Sequence, residues 1–393
     1  MAAHPALERL RRGLEELEAA GLRRRLVTLG AGPGPWLELE GRPVLVMASN
    51  DYLGLTGHPR LLGAARDALL REGAGSGASR LVSGTRSAHT ALEQEIAAFK
   101  HTDAALYLAT GYMTNLALIT ALAGPGDLVV SDRLNHASIV DACRLSRARV
   151  AVYPHGDAAA AARLLREGEG RLKLLVSDGV FSMDGDLAPL PELLEAARSA
   201  GALLVVDDAH ATGVWGASGR GSLEHFGLGP GPDIVQVGTF SKALGGQGGF
   251  VAAAPEVIHT LVSRARPLLY STAPPPAQVA AAREGLRVLQ DEPWRRDRLH
   301  ALAARLRRRL EELGLGPLPG QGPIVPVVVG EAERALALSR ALLRRGVFVP
   351  AIRPPTVPPG MSRLRFSLSA AHREADVELA AAALAEALQE VES

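Results

Sequence analysis

Short apolar runs recur along most of this sequence, each followed by a segment with helical spacing. The runs occupy residues 104–109, 128–131, 150–153, 172–177, 203–207 and 234–237, and an apolar strand near 44–48 precedes them. Between them lie segments such as LPELLEAARSAG, whose apolar residues repeat at helical intervals and which end on glycine. Strands alternating with helices of this length build a mostly parallel sheet covered on both faces. In such sheets ligands sit at the carboxyl ends of the strands, so reactive residues are expected there.

The chain has 393 residues, which suits one large and one smaller domain. The run TAPPPAQ at 272–278 is the best internal boundary, because consecutive prolines stop regular structure. Beyond it the pattern predicts an arginine-rich helix, strands at 324–329, 347–352 and 363–369, a helix over 332–345 and a last Ala/Leu/Glu-rich helix. At the other end, Leu7, Leu10, Leu14 and Leu17 share one face of a charged helix, expected to dock on the body or on a partner subunit. The glycine clusters GAGSGAS and GLGPGP lack the spacing of a dinucleotide fingerprint.

Hydrophobic residues make up 47% and charged residues 22%, with a formal net charge of +1. No basic field draws such a chain to nucleic acid or to an anionic membrane. A single cysteine, Cys143, excludes an internal disulfide framework and a thiolate zinc cluster, and no metal is expected. The charged N-terminal stretch does not read as a signal peptide, and no apolar run reads as a membrane span. A soluble, cytoplasmic chain is expected.

Forty of the 43 basic residues are arginine, and lysine occurs only at Lys100, Lys173 and Lys242. Arginine stays protonated, whereas lysine can lose its proton and form an imine. Schiff-base chemistry is therefore confined to three positions. Lys100 lies at a helix end, where the dipole favours a cation, and Lys173 opens a strand. Lys242 alone follows a strand, in the loop VGTFSKALGGQGGF, whose glycines let a ligand approach closely.

Other reactive residues gather at strand ends. Asp207 and His210 fall in LLVVDDAHATG, where the carboxylate either pairs with a protonated ring nitrogen or caps the next turn. The turn Thr110-Gly111-Tyr112 opens a helix whose free N–H groups suit a phosphate, and Thr239 can add a hydroxyl. His136 follows another strand and can stack on a flat ring. Ser182 lies in DGVFSMDGD, either beside a ligand or as plain turn chemistry. On the strand at 363–369, Arg363 and Arg365 share one face, offering a carboxylate clamp or a solvated surface.

The segments SNDYLGL, GSGASRLVSGT, DGVFSMDGD, VDDAHATG and TFSKALGG, in that order, resemble the α-oxoamine synthase family of fold type I enzymes that use pyridoxal 5′-phosphate (PLP). The resemblance runs from about Arg23 to the end of the chain. It implies an α/β fold, the PLP-dependent transferase fold type I: an N-terminal helix and arm over 1–45, a large PLP-binding domain over 46–275 with a mostly parallel seven-stranded sheet covered by helices, and a small α+β C-terminal domain over 276–393. By position, Lys242 resembles the Schiff-base lysine and Asp207 the partner of the pyridine nitrogen. His210 and Ser182 match contacts to the ring's phenolic oxygen, and His136 the stacked histidine. Gly111, Tyr112 and Thr239 fall at the phosphate site. Ser271 and Thr272 match residues reaching the neighbouring subunit's phosphate, which implies a homodimer with active sites at the subunit interface. Arg23, Asn50, His136, Thr356 and Arg365 match substrate positions, with Arg365 as the carboxylate clamp. Tyr112 stands where some relatives have phenylalanine.

Within the family, IRPPTVPPG, YSTAPPPAQ and GLRRR imply a biotin-pathway acyltransferase that condenses L-alanine with a pimeloyl thioester, carried on CoA or on an acyl carrier protein. The alternatives are a sibling that joins glycine to acetyl-CoA, or one protein doing both. A non-catalytic, PLP-binding regulatory module would need a DNA-binding head, and residues 1–30 supply only one helix.

Overall fold

The structure is a computed structural model and describes residues 4–392. The strands in chain order are β1 (Trp36–Leu39), β2 (Arg42–Val46), β3 (Ala104–Leu108), β4 (Leu128–Asp132), β5 (Arg149–Tyr153), β6 (Lys173–Asp178), β7 (Leu203–Asp207), β8 (Ile234–Thr239), β9 (Gly249–Ala253), β10 (Ile324–Gly330), β11 (Val347–Phe348), β12 (Ala351–Ile352) and β13 (Ser362–Ser367). Contacts divide the chain into two compact units, Asn50–His300 and the combination of Met1–Ser49 with Ala301–Ser393.

The larger unit holds a seven-stranded sheet in the order β3-β9-β8-β7-β6-β4-β5. Pairs among β4 to β8 are parallel, while β9 runs antiparallel to both β3 and β8. Helices cover both faces, so the inner strands are apolar without alternation. Period-two geometry still sorts their side chains. Val129, Val176, Val205 and Val237 join one core with the helices Gly111–Leu122 and Ala137–Ser146. Leu128, Val130, Leu175 and Leu204 join another with the helices Ala158–Glu167 and Leu190–Ser199. All six apolar runs from 104 to 237 fall on sheet strands. The strand β9 was not expected: its sequence GFVAA follows a glycine-rich loop and shows no period.

In the smaller unit, β10, β13 and β12 form one three-stranded sheet and β1, β2 and β11 another. The single strand expected at 347–352 is two short strands in different sheets, separated at Pro350, which has no N–H to give a ladder. Every residue of β13 is buried, so the solvated-face reading of Arg363 and Arg365 is wrong: they are 2% and 7% exposed. The helix Pro5–Ala19 forms as expected but buries none of its residues, and Leu7, Leu10, Leu14 and Leu17 are all exposed. No helix among the described residues is long and apolar enough to cross a membrane.

Two polar devices stiffen the large unit. Lys100 is fully buried at the end of the helix Ser87–Lys100, donating to Thr212 Oγ1 at 3.0 Å and to the Arg220 carbonyl. Asp208 stands 3.6 Å away and also accepts from Ser222. Burial pushes the lysine pKa down and Asp208 up, while each partner's charge opposes that shift. Lys173 donates to the Leu165 carbonyl at 2.8 Å. Both lysines thus have structural partners.

The second device is His155, gripped by Asp132 at 3.1 Å and Asp186 at 2.9 Å, its ring edge-on to Phe181. The Asp132 and Asp186 hydrogen bonds raise its pKa to about 10.

Two outcomes follow from these contacts. Lys100→Met leaves Asp208 charged and unpaired in the interior, so the urea midpoint should fall by the equivalent of about 3–5 kcal/mol. His155 is protonated more readily in the folded chain, so its contribution is full below the unfolded pKa of about 6.5. That contribution is lost as pH rises through about 10. The melting-temperature gap between the native chain and His155→Gln should therefore be widest at mildly acidic pH and close toward strongly alkaline pH.

Candidate active site

Asp207 ends β7 with its side chain only 4% exposed. Its Oδ1 accepts the Ala209 N–H at 3.0 Å, and its Oδ2 accepts Asn115 Nδ2 at 2.6 Å. A buried carboxylate needs such donors to stay charged. Asn115 lies on the helix that begins at Gly111, which places that helix start and Asp207 at one edge of the sheet.

His210 follows three residues after Asp207, in a turn held by Asp208 carbonyl contacts to Ala211 and Thr212. Its Nε2 lies 2.9 Å from Lys242 Nζ and its Nδ1 2.6 Å from the Tyr52 hydroxyl. Tyr52 in turn donates to Asn50 Oδ1 at 3.1 Å. Lys242 sits in the connection between β8 and β9, which Gly246 N–H closes on the Phe240 carbonyl at 2.8 Å. Gly245 there has φ +64°, and a Cβ would lie 2.6 Å from the Leu55 backbone. Only glycine fits that approach. Thr239, at the end of β8, donates to the Gly248 carbonyl and contacts Ser241 Oγ, both at 2.8 Å.

The turn at Gly111 is capped by Thr110, which accepts the Met113 N–H at 3.1 Å. A Cβ on Gly111 would reach 3.4 Å from Thr239 Oγ1, so the helix start and β8's end lie side by side. Tyr112 is exposed and its hydroxyl hydrogen-bonds Asp141, an acceptor that a phenylalanine could not use and that raises the phenol pKa.

His136 caps the helix Ala137–Ser146, and its N–H donates to Asp178 Oδ2 at 2.8 Å. His136 is exposed, yet the surrounding protein still desolvates its ring and lowers its pKa, with Asp207 acting in opposition. Asp178 is pushed well up, first by burial and then by the charge of Asp207. Ser182 lies in the turn after β6, which Phe181 and Gly185 close with backbone bonds to Asp186 and Phe181. Ser271 is half-buried and Thr272 exposed; a bridge to Ser79 and the Ala273 N–H to the Ala78 carbonyl hold their strap in place.

In the smaller unit, Arg365 donates to Ser367 Oγ at 2.7 Å from within β13. Arg23 is exposed and pairs with Glu18 at 3.1 Å, while Thr356 accepts from Arg24 at 3.2 Å. Thus Lys242, His210 and Asn50 meet through Tyr52; Gly111 and Thr239 adjoin; and Asp207 and His136 share Asn115 and Ser138 as intermediates. Sequence reasoning missed Tyr52, Asn115, Ser138 and Asp178. Asn115 alone carried a signal, a carboxamide set in the apolar stretch NLALITAL. No cluster that could hold a metal ion occurs among the described residues.

The cluster offers an amine, a buried carboxylate, the free amides of a helix start and a hydroxyl beside them. These are complements for an aldehyde, a basic ring nitrogen and a phosphate. PLP carries all three groups, and Gly111 adds no side chain of its own beside the Thr239 hydroxyl.

The profile of the family "Aminotransferase class I and II" matches residues 42–384. The 8-amino-7-oxononanoate synthase of Geobacter sulfurreducens is 53% identical over 376 residues, 95% of this chain and 96% of that protein. Among solved structures, a serine palmitoyltransferase variant from S. paucimobilis with a bound PLP–myriocin aldimine superposes with TM-score 0.92 at 31% identity, covering 100% of both chains. The 8-amino-7-oxononanoate synthase of Francisella tularensis superposes with TM-score 0.76 at 26% identity, covering 88% of this chain and 98% of that one. This chain belongs to the aminotransferase class I and II family and, within it, to the α-oxoamine synthases, PLP-dependent enzymes of fold type I.

Proposed function

We propose that this chain condenses L-alanine with a pimeloyl thioester and releases 8-amino-7-oxononanoate, CO2 and the free thiol, a step of biotin biosynthesis. The contact of Lys242 Nζ with His210 Nε2, within a chain so similar to the Geobacter synthase, carries the reading. When bound, the cofactor supplies an aldehyde that captures amines and a ring that accepts electrons from the adjacent carbon.

The chain's own residues do the rest. Lys242 would hold the cofactor through Nζ, and its amine, when free, would take the proton from the amino acid's Cα. His210, fixed at Nδ1 by Tyr52, orients that amine, and together with Ser182 it would contact the cofactor's phenolic oxygen. Asp207 would keep a proton on the cofactor's ring nitrogen by offering an acceptor. The amides at Gly111 and Tyr112 and the Thr239 hydroxyl would bind the phosphate, and His136 would stack on the ring. Asn50, Arg23, Thr356 and Arg365 are assigned to substrate, with Arg365 on the carboxylate.

The working assembly is a homodimer in which Ser271 and Thr272 serve the neighbouring subunit's phosphate. Exposed Leu81, Val82 and Tyr270 flank that strap and favour the reading. The reaction is placed in the cytoplasm, where the free thiol of Cys143 persists.

Thiol release by the PLP-loaded protein should be strong with L-alanine plus pimeloyl-CoA and weak with glycine plus acetyl-CoA. The reverse preference would reject the alanine assignment and keep the cofactor roles. Lys242→Ala should abolish turnover together with the visible absorbance of the linked cofactor. Asp207→Ala should lower turnover on the order of 10²–10³-fold, far more than it weakens PLP binding.

A further inference from the structure

The hydrogen bonds around His136 run in one direction, and Asp207 sets it. A carboxylate only accepts, so the 2.6 Å contact orients the Asn115 amide with Nδ2 toward Asp207. The opposite orientation would press two oxygen acceptors together. The second hydrogen on Nδ2 goes to Ser138 Oγ at 2.9 Å, and Asn115 Oδ1 stays buried without a partner. With Oγ accepting from Asn115, the Ser138 hydroxyl hydrogen points to His136 Nδ1, 2.8 Å away. The Ser138 N–H faces the same nitrogen at 3.2 Å. Two donors aimed at one ring nitrogen exclude a proton from it.

We infer that Asn115 and Ser138 are positioning residues that hold His136 as the neutral ring protonated on Nε2, and that the charge on Asp207 dictates this arrangement. The inference rests on the proposed function in placing His136 and Asp207 against one cofactor ring. Both intermediates are buried, at 1% and 0% exposure, so water does not compete for these bonds. Nε2 has no hydrogen-bond partner among the described residues, which leaves an N–H donor at the open sheet edge. A neutral imidazole also stacks on a ring protonated at nitrogen without the repulsion an imidazolium would bring. Burial lowers the His136 pKa in the same direction.

The test is ring-nitrogen NMR of holoenzyme grown with ¹⁵N-histidine, with His136 assigned from the signal lost in His136→Gln. The expected spectrum shows Nε2 protonated and Nδ1 bare at neutral pH. An Nδ1–H ring or an imidazolium would overturn the inference, and this reading needs no relay variant to fold. Ser138→Ala removes the hydroxyl donor and keeps the residue-138 N–H, so the bare Nδ1 resonance should shift while kcat falls roughly five-fold at unchanged KM for alanine, with Ser138→Thr restoring both. Unchanged ring signals in Ser138→Ala would also overturn it. The same spectra are recorded on cofactor-free protein. Failure to take up PLP would therefore reject the proposed function while the tautomer remains readable.

Discussion

The edge of the sheet is organised around a carboxylate placed where water barely reaches. Asp207, at the end of β7, accepts hydrogen bonds from a backbone N–H and from the Asn115 amide, which satisfy its buried oxygens. Its charge then acts on its surroundings. It helps push Asp178 upward, and Asp178 in turn holds the backbone of His136. It opposes the desolvation of the His136 ring, and it orients the amide that reaches Ser138. Removing that one charge would loosen several contacts that no single pair accounts for.

The amine of Lys242 is held by a different principle. Lys242 does not extend from a helix or strand; it lies in a loop whose two ends are fixed by the antiparallel pairing of β8 with β9. The loop's glycines let it press against Leu55, and the helix that starts at Gly111 packs beside Thr239. Lys242 and Thr239 thus lie at the end of β8, and Gly111 follows β3, with β9 between the two strands. Serine palmitoyltransferase shares this backbone arrangement at low identity. Such a match expresses a common cofactor scaffold, while the choice of amino acid and acyl chain resides in side chains that differ.

Much of this was legible from the sequence. The parallel strands read as apolar runs because helices cover both their faces, and Lys242 stood out because only three lysines exist. The antiparallel β9 escaped notice since GGQGGFVAA carries turn residues into the strand. Spacing left the arginines of β13 open between a carboxylate clamp and a solvated surface, because the burial of Arg363 at 2% exposure depends on partners that spacing does not reveal. Long-range polar pairs were hidden for the same reason. Tyr52 and His210 are 158 positions apart and Asn115 and Asp207 are 92 apart, so neither pairing leaves a local pattern. The gripping of His155 by two aspartates likewise needs three strand ends brought together.

The central claim is that Lys242, and neither of the other two lysines, carries the cofactor. Borohydride reduction of the PLP-loaded protein, followed by peptide mass mapping, tests this directly, because reduction fixes a lysine-bound pyridoxyl group in place. The account predicts one modified site, on the peptide containing Lys242. Modification at Lys100 or Lys173, or none at all, would contradict it.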